Sequence, residues 1–146
     1  MIEIEQSVGY PQSPEAVFAA VTDLAGYPAW QPDVLEVRVT DGGDVGPGTQ
    51  VTQVRKVMGR RAEVRLTVTR YDAGRVLTLE TEPDATPAVT QSYTVRPDAF
   101  GTVLDFRLTL DGVPKMAEHL VRTQLGRQAP HILERLGALL SPAAIA

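Results

Sequence analysis

From Val34 to Leu110 the chain alternates apolar and polar residues with a period of two, in six runs separated by short turn-forming segments. A pattern of this kind leaves little besides a sheet. The runs are Val34–Val39, Thr49–Val57, Arg61–Tyr71, Arg75–Glu82, Val89–Arg96 and Thr102–Leu110. Asp41-Gly42-Gly43, Gly46-Pro47-Gly48, Met58-Gly59-Arg60, Asp72-Ala73-Gly74 and the segment from Pro97 to Gly101 supply the glycine, proline and aspartate that turns need. Strands joined this closely must be antiparallel. Residues 2–10 alternate in the same way, with Ile2, Ile4, Gln6, Val8 and Tyr10 on one face, which makes seven strands.

Two stretches break this period. Ser13-Pro14-Glu15 offers a capping hydroxyl, a proline at the first helical position and an acid at the positive helix end. A short helix therefore starts there and carries Val17, Phe18 and Val21 to about Thr22. Asp23 can cap a second short turn that Gly26, Pro28 and Pro32 keep from lengthening. Beyond Asp111-Gly112-Val113-Pro114 the pattern is helical to about Leu140, with Met116, Leu120, Ile132, Leu136 and Leu139 or Leu140 as inward positions. Pro130 lacks an N–H and its ring presses on the carbonyl of Gly126, so a kink is expected between them.

Helix segregated from sheet in this order is an α+β arrangement, with no βαβ unit for a doubly wound fold. One helix covers one face of a seven-stranded sheet. The inner face is then Val64, Leu66, Val68, Leu77, Leu79, Val95, Leu104, Phe106 and Leu108, opposite an outer face that carries Glu3, Glu5, Arg65, Thr67, Arg107 and Thr109. Twist curls such a sheet, and a helix about 10–12 Å across leaves part of the concavity unfilled. A pocket between helix and sheet follows.

The 146 residues suit one domain spanning 1–146, without repeats or an internal linker. Zero cysteines remove disulfides, thiol nucleophiles and cysteine-based metal sites, and suit a reducing cytoplasm. Met1-Ile2-Glu3-Ile4-Glu5 has none of the features of a signal peptide, and no run approaches the roughly 20 apolar residues of a membrane span. A cytoplasmic location is the expectation. A net charge of −4 argues against nucleic acid, because Arg55-Lys56 and Arg60-Arg61 are the basic pairs and both flank one turn. His119 and His131 lie twelve apart on one helix, too far for an i, i+4 metal pair, so neither a metal nor a cofactor is expected. The chain is expected to be a monomer or homodimer.

No serine has the glycine-flanked elbow of a nucleophile, and neither glycine cluster opens a helix to cradle phosphate. What stands out is a set of polar residues on the apolar faces: Gln6, Gln53, Arg55, Gln91 and Tyr93. Alternation points Arg55 inward, whereas a bulge in its strand turns it to solvent, and the outward placement is the expectation. An inward Arg55 would demand an anionic or carbonyl-bearing ligand or a nearby acid. Tyr27 and Trp30 are placed at the mouth of the cavity or in plain core. Leu66, Leu79 and Phe106 line its sheet side, Leu120 and Gln124 its helix side, and Met116 its entrance. Tyr93, Arg55 and His131 are the candidates for proton transfer or carbonyl polarisation.

The segment from Ser13 to Asp33 resembles the N-terminal signature of the polyketide cyclase/dehydrase family within the START-like superfamily, which also holds the birch-pollen-allergen fold. The resemblance rests on Ser13-Pro14, Val17-Phe18, Asp23, and Tyr27-Pro28 with Trp30 and Pro32. It implies a helix-grip fold, in which a curved seven-stranded antiparallel sheet wraps a long C-terminal helix and two short helices follow strand one. It further implies a hydrophobic small molecule, lipid or aromatic polyketide, bound between sheet and helix. A cyclase, aromatase or dehydratase using the same pocket, and a regulator acting through its outer surface on a protein partner, are the alternatives.

Overall fold

The computed structural model describes residues 1–40, 44–57 and 59–141. The turn at Asp41-Gly42-Gly43 and the residue Met58 lie outside the described residues. The strands are β1 (Ile2–Tyr10), β2 (Val34–Val39), β3 (Gln50–Val57), β4 (Arg60–Asp72), β5 (Val76–Glu80), β6 (Ala88–Asp98) and β7 (Gly101–Asp111). They form one curved antiparallel sheet in the order β1-β7-β6-β5-β4-β3-β2. The first two strands in sequence are thus the two edges. The segment between them, helix α1 (Pro14–Thr22) and a 3-10 helix (Leu24–Ala29), carries the chain from one edge to the other. Helix α2 (Lys115–Leu140) closes the fold and is continuous through Pro130.

Local chemistry explains these elements. The Ser13 hydroxyl accepts from the Ala16 N–H at 3.2 Å, and Pro14 occupies the first turn, where its missing N–H costs nothing. Asp23 behaves differently from the expectation: its carboxylate makes no capping bond, and its backbone carbonyl accepts from Gly26 instead. The inner sheet face buries Leu66, Val68, Leu77, Leu79, Val95, Leu104 and Phe106. Bulges interrupt the ladder at Leu35 and between Val68 and Arg70, the kind of irregularity that increases local twist.

α2 is held at its C-terminal half. Ala129, Ile132, Leu133 and Leu136 are buried there, and the Tyr10 hydroxyl donates to the Leu133 carbonyl at 2.6 Å. Gly137 permits the approach, since a Cβ there would meet the Tyr10 ring at 3.0 Å. At the same end, Gly101 has φ +144°, and a Cβ would overlap the Tyr10 carbonyl oxygen. The N-terminal half is not seated in this way. Met116 is 93% exposed and Leu120 49%, so neither is an inward position; Leu139, at 52%, also faces solvent. Of the expected inward positions Ile132 and Leu136 are buried and Leu140 packs against the core; Ala129 and Leu133 are buried beside them, and in the N-terminal half Val121 and Leu125 pack against the core in place of Met116 and Leu120.

Candidate functional site

Beside the middle of α2 a cleft opens. Its outer part, about 500 Å³, is bounded by Pro32 and Asp33, by Lys56 and Gly59 of the β3–β4 hairpin, and by Gln124, Gln128, His131 and Ile132 of α2. An inner part of about 30 Å³ shares Asp33, Gln128 and Ile132 with it and reaches Gln31, Arg55, Gln91, Phe106, Leu108, Leu125 and Ala129. The outer volume falls within the usual range for a small-molecule site. The inner one matches the volume of about one water, hence one hydroxyl-sized group.

At the base of the cleft lies a directed polar network. Val51, Gln53 and Arg55 alternate inward on β3, and Val34 pairs with Arg55, while the Lys56 N–H donates to the Asp33 carbonyl at 2.8 Å. The start of β2 therefore sets Asp33 beside Arg55. The guanidinium donates from Nη1 to Asp33 Oδ2 at 2.7 Å, from Nη2 to Gln31 Oε1 at 2.9 Å, and from Nε to Gln53 Oε1 at 2.9 Å. Arg55 thus faces inward, with 16% of its side chain exposed, contrary to the outward expectation. Its desolvation is offset by the nearby acid that an inward arginine requires.

One charge orients three amides. With its oxygen turned to Arg55, Gln31 presents Nε2 to the Tyr93 hydroxyl at 3.1 Å. Gln53 likewise spends its oxygen on Arg55, and the same oxygen accepts from Gln91 Nε2 at 3.3 Å. Two buried atoms are left without a partner among the described residues of this network: Gln53 Nε2 and Gln91 Oε1. Gln53 does not line the cleft, whereas Gln91 lines its inner end.

Behind the network the concavity is filled. Trp30, Tyr27 and Tyr93 are 2%, 0% and 1% exposed. Their rings meet edge to face, with Tyr27–Trp30 centroids 5.0 Å apart and Trp30–Tyr93 6.1 Å, and Phe106 follows at 5.3 Å from Tyr93. Tyr27 and Trp30 are consequently core and not a cavity mouth. Leu66 and Leu79 are core as well, and Met116 and Leu120 stand outside the cleft. Of the residues singled out in the sequence, Arg55, Gln91 and Phe106 line the inner part, Gln124 and His131 the outer part, and Gln53 and Tyr93 form the layer behind. Gln31, Asp33, Lys56 and Gln128 were missed. The inward arginine's need for an acid was a signal for Asp33, but only the fold shows which acid answers it.

Burial sets the tyrosine chemistry. The Tyr27 phenol is held well above its ordinary value of 10.0 by burial first and by neighbouring Tyr93 next; its hydroxyl donates to the Val21 carbonyl at 2.6 Å. Burial likewise raises Tyr93, against the opposing pull of Arg55, and raises Tyr10. These three phenols ionise near 10 in the unfolded chain and above it in the folded one. This stabilisation is therefore complete below pH 10 and is lost as pH rises beyond it. In an alkaline titration followed by phenolate absorbance, Tyr10, Tyr27 and Tyr93 should remain silent past pH 10 and appear only with the loss of tertiary structure. Their ionisation near 10 in a folded chain would contradict their burial.

The described residues contain no cluster of three or more metal-ligating side chains, and no described helix is long and apolar enough to cross a membrane. The family model for polyketide cyclase / dehydrase and lipid transport matches residues 1–140. Among solved structures, the chain is similar to a START superfamily protein from Mycobacterium smegmatis, at 16% identity and TM-score 0.80 over 97% of this chain and 98% of that one. TTHA0849 from Thermus thermophilus gives 18% identity, TM-score 0.80, and the same two coverages of 97% and 98%. The di-domain ARO/CYC StfQ of the steffimycin biosynthetic pathway gives 14% identity and TM-score 0.77 over 99% of this chain and 52% of that one. At such identities the likeness is one of fold. No curated protein sequence matches.

Proposed function

The chain belongs to the polyketide cyclase / dehydrase and lipid transport family, and from that premise we propose that it binds a small hydrophobic molecule, lipid or aromatic, in the cleft between α2 and the sheet. One observation carries this reading: a cleft of about 500 Å³ that narrows onto an apolar wall of Phe106, Leu108, Leu125, Ala129 and Ile132 interrupted by a few fixed polar groups. Few polar groups on an apolar wall is the pattern of a small-molecule site. In the outer part the ligand's body would rest on Pro32, Ile132 and the aliphatic stems of Lys56, Gln124 and Gln128, whose polar ends stay in water.

Binding is favoured over proton-transfer catalysis by where the titratable groups sit. Tyr93 lies in the core behind the network, and exposed His131 lies at the outer part of the cleft. They do not converge on one reacting atom, as a general acid and base must. The Arg55 charge is balanced by Asp33.

The test is fluorescence titration with the neutral apolar probe N-phenyl-1-naphthylamine, on the parent and on Gln128→Trp. Gln128 is exposed and borders both parts of the cleft, so an indole there plugs it without disturbing the core. Affinity should fall about tenfold or more at an unchanged unfolding midpoint. Undiminished binding by Gln128→Trp would place the ligand elsewhere.

A further inference from the structure

Arg55 decides which way the buried amides point, and this determines what the inner end of the cleft can recognise. The guanidinium has one acceptor at each of Nε, Nη1 and Nη2. Because Nε is a donor, Gln53 must turn its oxygen toward it; because that oxygen is there, Gln91 must turn Nε2 toward Gln53. Reversing Gln53 would set N–H against N–H, and reversing Gln91 would set oxygen against oxygen. The Gln91 oxygen is therefore what remains, on a side chain 3% exposed that lines a space fit for one hydroxyl-sized group, without a partner among the described residues. An unpaired buried acceptor costs about 1–3 kcal/mol, so a donor that reaches it is selected.

Charge acts at the same place. Asp33 lines both parts of the cleft and so stands at the passage between them, and its carboxylate already occupies Arg55. An anion entering the inner end would meet a carboxylate and an arginine whose charge is spent.

We propose that the inner end of the cleft is a hydroxyl-recognition subsite selective for neutral ligands: Gln91 Oε1 accepts from an alcohol or phenol hydroxyl, and the Asp33–Arg55 pair disfavours carboxylates. The subsite deepens the binding reading above and rests on it. The ligand class it defines is a neutral amphiphile that enters hydroxyl first.

Displacement of N-phenyl-1-naphthylamine from the folded protein near neutral pH tests this with three probes of one shape: 2-naphthol, 2-methylnaphthalene and 2-naphthoate. Naphthol should bind about 5–10-fold more tightly than methylnaphthalene, the value of one added hydrogen bond. Naphthoate should be the weakest of the three. In Gln91→Met the ratio of naphthol to methylnaphthalene affinity should fall to about one. In Asp33→Asn naphthoate should gain about tenfold or more as Arg55 loses its counter-charge. Equal binding of naphthol and methylnaphthalene by the parent, or an advantage that survives Gln91→Met, overturns the subsite and leaves the binding reading standing. Naphthoate binding more tightly than naphthol overturns the neutral selectivity. If the plugged Gln128→Trp binds all three as the parent does, the binding reading falls and the subsite with it.

Discussion

Trp30→Ala is expected to destabilise the protein by about 3–5 kcal/mol, the usual loss when a fully buried aromatic is truncated in a core. Trp30 is 2% exposed and packs edge to face against Tyr27 at 5.0 Å and Tyr93 at 6.1 Å. Its removal opens a void between the 3-10 helix and β6, and neither neighbour can fill it, because both are anchored by their hydroxyls, Tyr27 to Val21 and Tyr93 to Gln31. For a chain of this length the unfolding midpoint should fall by about 10 °C or more. Trp30→Phe, which keeps an aromatic face, should recover a good part of the loss. Thermal unfolding followed by circular dichroism reads both. A Trp30→Ala protein with an unchanged midpoint and weakened ligand binding would instead put the indole in a ligand mouth, and the packing described above would be wrong.

The second large effect belongs to the ion pair. Asp33→Ala leaves the Arg55 guanidinium at 16% exposure with two amide oxygens but no counter-charge. The expected cost is about 3 kcal/mol, at the low end for a broken buried pair because both side chains keep some contact with water. Removing both charges is the informative comparison. An Asp33→Leu, Arg55→Met double variant exchanges two desolvated charges for apolar groups of similar reach, and it should be more stable than Asp33→Ala alone. It also frees Gln31 and Gln53 from the orientation that Arg55 imposes, so recovery should stop short of the parent. Denaturant unfolding of the parent and the two variants compares their stabilities directly. A double variant no more stable than Asp33→Ala would mean that the unbalanced charge is not the source of the loss.

These two residues mark where the sequence was legible and where it was not. Strand β2 and helix α1 stand at the residues that periodicity and the Ser13-Pro14 cap indicate, because both signals are local. Trp30 and Tyr27 fitted a mouth and a core equally well in the sequence, because an aromatic beside two prolines carries no sign of which way it turns. Arg55 was harder. Its direction depends on the register of β3, and its stability there depends on Asp33, 22 residues earlier in the chain. Met116 and Leu120 failed for a related reason: a helical period gives a face, but not the point along α2 where the sheet ends.

The sequence by itself determined the order of elements, the antiparallel sheet, its apolar inner face and the family resemblance, since each is written in spacings of a few residues. Only the tertiary structure decided that aromatic rings fill the concavity, that the cleft lies beside the middle of α2, and that Asp33 answers Arg55. Those outcomes depend on side chains from the 3-10 helix and the segment before β2, and from β3, β6, β7 and α2, competing for the same space. That competition is settled by packing and charge pairing across the whole fold, where no short stretch of sequence carries the answer.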